Sequence, residues 1–385
     1  ERLCLGGTFE SVIGGTKGFS GSGFHRTDGK KAVDPDILMR IPHIAAPWLP
    51  PTGPALPASC VRSWPEEFTR VAGLGNFDLY EGARVIVPNG MTPEHRIRAF
   101  ATDKNASVSN SCSVLRLGTA DLALARFAAT YLTSRLGAYL ALLLAPSAVI
   151  ERTQIKHGEL QILPFRMPDR HSDPSRARSI VNEVAEWVAS QERTELHDVG
   201  DDLPTEVEAL VHEYFELSTT LRQIVTEVSN VVLPNVQPST LDKISSSLQA
   251  APTRAELKKY ANTLVSELER GRALLGGSGS FQAQVDYWRP GSSEGMGRVV
   301  VRAIAGTAKG ASVANDSTVE ALLQDLSAMG LLSGVLDGGL GLRGDVLVQD
   351  GTAIHFAKPL LRRLWLTSAA LDDALEQGKG PKPGD

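Results

Sequence analysis

The sequence predicts an α+β protein in which strands and helices are segregated along the chain. Three observations carry this reading. The opening region is rich in Gly and Pro and holds short apolar runs. The middle keeps helical periodicity over about a hundred residues. The closing stretch returns to strand-like runs around a tight turn.

Residues 1–170 form the first region, a mixed α/β domain. Gly6-Gly7, Gly14-Gly15, Gly18, Gly21 and Gly23, followed by a Pro-rich run from Pro47 to Pro65, disfavour helix and predict loops and short strands. Val85-Ile86-Val87, ended by Pro88, reads as a strand, and Val114-Leu115-Arg116-Leu117 as another. Thr119-Ala120-Asp121 opens a single apolar helix over about 122–144, with Phe127, Tyr131, Leu132, Tyr139 and Leu142 as its buried stripe. Both tyrosines lie in that stripe and read as core residues. Gln161-Ile162-Leu163 forms a further element, stopped by Pro164.

Residues 172–275 read as wholly helical, an elongated antiparallel connector that holds two globular ends apart. Asp173-Pro174 marks a start, with Pro at the first helical position. Thr205 with Glu208, and Thr253 with Glu256, have capping-box spacing. Leu210, Tyr214, Leu217, Leu221, Ile224 and Val228 form a coiled-coil-like seam that suits packing within the chain. Leu257, Tyr260, Leu264 and Leu268 form its partner stripe. Residues 276–377 form a small α+β domain after the linker Gly276-Gly277-Ser278-Gly279-Ser280. It has a strand over Val299–Ala305, a helix capped by Ser317 and Glu320, and a hairpin around Asp350-Gly351. Residues 378–385 read as a disordered tail.

Of 385 residues, 42% are hydrophobic and 22% charged, and the net charge is −5. A soluble globular protein is expected, and any basic surface must be local. From Arg84 to Arg166 ten basic residues face five acidic ones, a local charge of +5. From Glu183 to Glu269 sixteen acidic residues face six basic ones, giving −10. The first region can therefore attract phosphate while the helices repel it. Three widely spaced cysteines without a C-x-x-C fit a reducing cytoplasm. The longest uncharged apolar run, Leu136 to Ile150, is too short to span a membrane. Glu1 opens the chain without methionine, in what reads as a strand and a Gly-rich loop, which predicts a fragment or processed product.

Motifs for chemistry are missing from the sequence. Methylation of a base amino group calls for a Gly-rich cofactor turn and an Asn/Asp-Pro-Pro-aromatic loop. The one adjacent proline pair, Pro50-Pro51, lacks both flanking residues. Gly15-Thr16-Lys17 lacks phosphate-loop spacing, and the eight histidines show no ligand spacing. Pro35-Asp36 and Glu256-Leu257-Lys258 match the letters of a nuclease motif, but far apart and partly on a capped helix. No catalytic residue, metal site or cofactor site is expected in this chain.

Several stretches, in order, carry a resemblance: Val12-Ile13-Gly14-Gly15-Thr16-Lys17-Gly18-Phe19 with Gly23-Phe24; Ala83-Arg84-Val85-Ile86-Val87-Pro88; Ser109-Asn110-Ser111; Leu132-Thr133-Ser134-Arg135-Leu136-Gly137-Ala138-Tyr139-Leu140; and Ile150-Glu151-Arg152 with Leu160-Gln161-Ile162-Leu163-Pro164-Phe165. Together they resemble the target-recognition domains of adenine-specific DNA methyltransferases, as in type I specificity subunits. Thr133-Ser134 stands where that family has Asn-Ser. The resemblance covers roughly residues 12–168. It implies a non-catalytic DNA-recognition module of a restriction-modification or anti-phage defence system, bound to double-stranded DNA. S-adenosylmethionine is then expected in a fused or partner methyltransferase catalytic domain or subunit.

With that resemblance, the expected DNA-binding residues are Lys17, Arg84, Arg96, Arg98, Lys104, Asn105, Asn110, Arg152, Lys156 and His157. Arg and Lys hold phosphates or guanine, Asn reads adenine, and a Gly-rich turn at Lys17 presents backbone amides to phosphate. The plain alternatives are a solvated loop for residues 96–110, helix capping for Arg152, Lys156 and His157, and a simple turn at Lys17. The competing function is a protein-interaction scaffold of a defence complex whose recognition domain no longer binds DNA.

Overall fold

A computed structural model describes residues 7–13, 20–27, 33–66, 70–117, 121–194, 203–236, 250–277, 280–288, 296–304, 311–313, 324, 346–350 and 353–378. The chain divides into two compact units, Glu1–Leu241 and Asp242–Asp385, and the class is mixed α+β.

The first unit is built on an antiparallel sheet of β1 (Ser20–Ser22), β2 (Arg84–Pro88), β3 (Phe100–Thr102) and β4 (Cys112–Leu115), in the order β1-β4-β2-β3. Val85, Ile86 and Val87 make β2 its buried centre. Successive side chains of a strand point to opposite faces, so this apolar run serves two cores. Val85, Val87, Ala101 and Leu115 face a helical core. Ile86, Phe100, Cys112 and Val114 face a second core holding Phe24, Leu38, Trp64 and Tyr80.

The apolar stretch after β4 is two helices, not one: α1 (Leu122–Thr133) and α2 (Arg135–Leu144), bent by 67°. Ser134 is the cause. Its hydroxyl donates to the Tyr131 carbonyl at 2.6 Å and accepts from the Gly137 amide at 3.2 Å, so it closes one helix and caps the next. The bend brings backbone so close that a Cβ on Gly137 would sit 2.4 Å from the Leu132 carbonyl oxygen. Phe127, Tyr131 and Leu132 are buried as expected, whereas Tyr139 and Leu142 are half-buried. Among the described residues no single helix is long and apolar enough to cross a membrane.

Residues 157–161 form the short helix α3 (His157–Gln161). Next come α4 (Pro174–Thr194), α5 (Thr205–Tyr214) and α6 (Thr219–Glu227). Pro174 is the first residue of α4, as expected, and the Asp173 carboxylate accepts from the Arg176 amide at 2.9 Å. These helices are not a free connector. Ile180, Val181, Val184 and Val188 of α4 share one core with α1, and Tyr214 packs tilted against Phe127, ring centroids 4.2 Å apart. The expected seam breaks after Tyr214, where Glu216 turns left-handed (φ 53°) and Ser218 caps α6. Leu210, Leu221, Ile224 and Val228 are only half-buried. Nor does Glu208 box with Thr205, for α5 has no side-chain cap. Its carboxylate reaches across to accept the Arg135 amide at 2.9 Å, the first of α2.

The second unit packs α7 (Arg254–Leu274) on a mixed, mostly antiparallel sheet of β5 (Ser280–Trp288), β6 (Met296–Ile304), β7 (Ala311–Val313), β8 (Val346–Asp350) and β9 (Ala353–Pro359). A C-terminal helix, α8 (Thr367–Gly378), follows. The order is β7-β5-β6-β9-β8, with only β7 parallel to its neighbour. The Thr253–Glu256 capping box is present and starts α7. Leu257, Tyr260 and Leu264 are its buried stripe, but their partner is the sheet core of Val285, Val299 and Phe356. The stretch expected as one connector over 172–275 is thus shared by the two units, because each half finds its own apolar face to cover. The expected hairpin is β8 with β9, Asp350 opposite Ala353. The Ser317–Glu320 cap and residues 379–385 lie outside the described residues.

Candidate nucleic-acid interface

The expected basic face does not form as one surface. Arg84, at the head of β2, is fully buried. Its guanidinium donates to the carbonyls of Gly82 (2.8 Å), Lys104 (2.7 Å) and Ala106 (3.1 Å), clamping the loop after β3 onto the sheet. Burial, then Arg116 nearby, pushes its pKa down to about 10, with the cation kept at neutral pH. Arg96 is also buried, 3.9 Å from the Glu208 carboxylate. Arg98 is half-buried and donates to the carbonyls of Leu49 (3.0 Å) and Pro50 (2.7 Å), holding the Pro-rich run, and burial lowers its pKa. These three arginines are corrected from DNA contacts to internal braces. An extended segment with many unpaired carbonyls needs donors, and a guanidinium supplies five in a fixed fork.

The other expected residues fall at the two ends of β2. Register pairs Arg84 with Thr102 and Pro88 with Cys112. Lys104 and Asn105 are exposed at the Arg84 end, where Lys104 lines a shallow cavity with Leu56, Thr102, Arg126 and Glu192. Asn110 and Lys156 are exposed at the Pro88 end. Arg152 is half-buried and spent on Glu159 and on Ser147, its Nη2 3.1 Å from the Ser147 hydroxyl. The Glu159 carboxylate also accepts from the Lys156 backbone amide at 2.8 Å, capping α3 and leaving the Lys156 side chain outward. His157 lies 3.4 Å from the Ser20 hydroxyl, against the edge strand, and burial lowers its pKa. Arg152 is thus paired with Glu159 and Ser147 and His157 set against β1, neither of them as a helix cap. Lys17 lies outside the described residues.

At the Pro88 end three loops are pinned together. Asn89 follows β2; its amide donates to the Ser111 carbonyl, and its carbonyl accepts from the Ile155 amide, both at 2.8 Å. Gly90 bridges Gln154, and Met91 donates to Thr153, which is held left-handed at φ 51°. The Asn89 side chain donates to the Asn110 carbonyl at 3.2 Å. The Asn110 side chain donates to Nδ1 of His25 at 2.9 Å. The result is a polar edge of His25, Asn89, Asn110, Gln154 and Lys156 on rigid backbone. Of these, sequence reasoning singled out Asn110 and Lys156. His25, Asn89 and Gln154 were missed, since they lie 64 and 65 residues apart and meet only through the sheet. Asn89-Gly90 directly after a strand was the available turn signal.

Among the described residues no group of three His, Cys, Asp or Glu side chains could hold a metal ion. Cys60 and Cys112 are free and buried, and burial pushes the Cys112 thiol up to about 12. Glu256, of the nuclease-like letters, is committed to Thr253 and Arg362. No protein-family model matches the chain, and no curated protein matches it.

Proposed function

We propose that the first unit is the sequence-specific DNA-recognition module of a DNA methyltransferase-type restriction-modification or anti-phage defence system, non-catalytic by itself. Its partner is double-stranded DNA in the cytoplasm. S-adenosylmethionine and the catalytic groups belong to a fused or partner methyltransferase domain. The observation that supports this most is the pinned edge at the Pro88 end of β2. There, exposed side chains with both donors and acceptors stand on loops fixed by backbone bonds, beside an outward lysine. Base reading needs such polar groups held rigidly, with cations nearby to hold phosphate.

The test is fluorescence anisotropy of the full chain on random-sequence duplex DNA across a salt series. Binding weakens as salt rises, and Lys156→Ala flattens the log–log slope by about one unit on every sequence. Flattening by Lys104→Ala alone moves the interface to the Arg84 end. The scaffold reading has one observation in its favour: Arg84, Arg96 and Arg98 are consumed inside the fold. Absence of duplex binding at low salt, with the methyltransferase partner supplied, favours that reading.

A further inference from the structure

The edge at the Pro88 end of β2 carries carboxamides, and their free groups decide what they can read. Asn110 is exposed, and one of its Nδ2 hydrogens goes to His25 Nδ1 at 2.9 Å. With Nδ2 facing the imidazole, His25 accepts at Nδ1 as the Nε2–H tautomer, and this pairing orients the amide. A second Nδ2 hydrogen and the Oδ1 acceptor remain. Asn89 spends one Nδ2 hydrogen on the Asn110 carbonyl at 3.2 Å and keeps the same donor–acceptor pair. Gln154, opposite Gly90, is exposed beside them. Arg152, in the same loop as Gln154, is occupied by Glu159 and Ser147.

In the major groove adenine presents an acceptor at N7 beside a donor at N6. A carboxamide with one free N–H and one free oxygen matches both. Guanine presents two acceptors, N7 and O6, which suit a guanidinium or ammonium and set the amide oxygen against O6. Fixing the amide beforehand removes the rotamer cost of aligning it. We infer that this edge reads adenine in the major groove of duplex DNA, with Asn110 as the principal reader, its amide oriented by His25. This rests on the DNA-recognition reading.

The full chain is used to select bound duplexes from a random pool. Binding is then measured by anisotropy on a selected duplex and on copies in which each adenine becomes 7-deazaadenine, which lacks the N7 acceptor. Selected sites share an adenine whose 7-deaza replacement weakens binding roughly 5- to 10-fold, the low end of what a bidentate contact contributes. In Asn110→Ala, and in the same-sized Asn110→Asp, that penalty vanishes. Lys156→Ala weakens the natural and 7-deaza duplexes equally. Duplex binding without a shared adenine, or a 7-deaza penalty that survives in both Asn110 variants, overturns the inference and leaves the DNA-recognition reading standing. No duplex binding at low salt overturns both.

Discussion

The two ends of β2 carry similar letters and opposite roles. At the Arg84 end the side chain with the most hydrogen-bonding capacity is turned inward and held by three carbonyls. At the Pro88 end, the smaller amides spend a single hydrogen each, Asn89 on the Asn110 main-chain carbonyl and Asn110 on His25, and keep groups facing outward. A net local charge of +5 counts both ends alike. What separates them is the supply of unpaired backbone carbonyls nearby, which only the fold determines.

The contrast is broken most severely at the closed end. Arg84→Ala strips three carbonyls, one buried and two part-buried, of their donor and leaves the buried space of the guanidinium empty, so a loss of about 3–5 kcal/mol is expected in urea denaturation. A loss under about 1 kcal/mol contradicts the bracing role. Acid acts next. Burial holds the pKa of His43 and of His212 down to about 4, His212 helped by Arg222 and Arg135. Unfolded, both titrate near 6.5, so the unfolded chain binds protons first. Stability is full above about pH 6.5 and falls as pH drops toward 4, by at most roughly 3 kcal/mol per histidine. Denaturation midpoints that stay level from pH 7 to 4.5 would falsify this.

A smaller effect is expected at the helix bend. Ser134→Ala removes the α2 cap and costs about 1 kcal/mol; an unchanged thermal midpoint removes Ser134 as the cause of the bend. The open end gives the smallest. Lys156→Ala stays within about 0.5 kcal/mol of the parent in stability, and its effect is read on DNA alone.

The same contrast explains what was legible in the sequence. Val85-Ile86-Val87 read correctly as a strand because a short apolar run ended by Pro has few other uses. Pro174 and the Thr253–Glu256 box read correctly because their partners are three residues away or fewer. Errors arose where a residue served a distant partner. Glu208 matched the capping-box spacing with Thr205, yet its carboxylate sits at the start of α2, 73 positions back. Ser134 lay inside an unbroken apolar periodicity, and nothing local distinguishes a helix-interior serine from one that ends a helix. The ten expected contact residues divided likewise. Lys104, Asn105, Asn110 and Lys156 are exposed, whereas Arg84, Arg96 and Arg98 turned inward toward carbonyls or carboxylates invisible in one dimension.

One strand has a wider consequence. Val85 and Val87 belong to the core under the helices, while Ile86 belongs to the aromatic core on the opposite face. Neither layer can loosen without dragging the backbone of the other, so the two melt as one cooperative body. The amides of residues 85–87 therefore exchange with solvent deuterium only when the whole first unit opens.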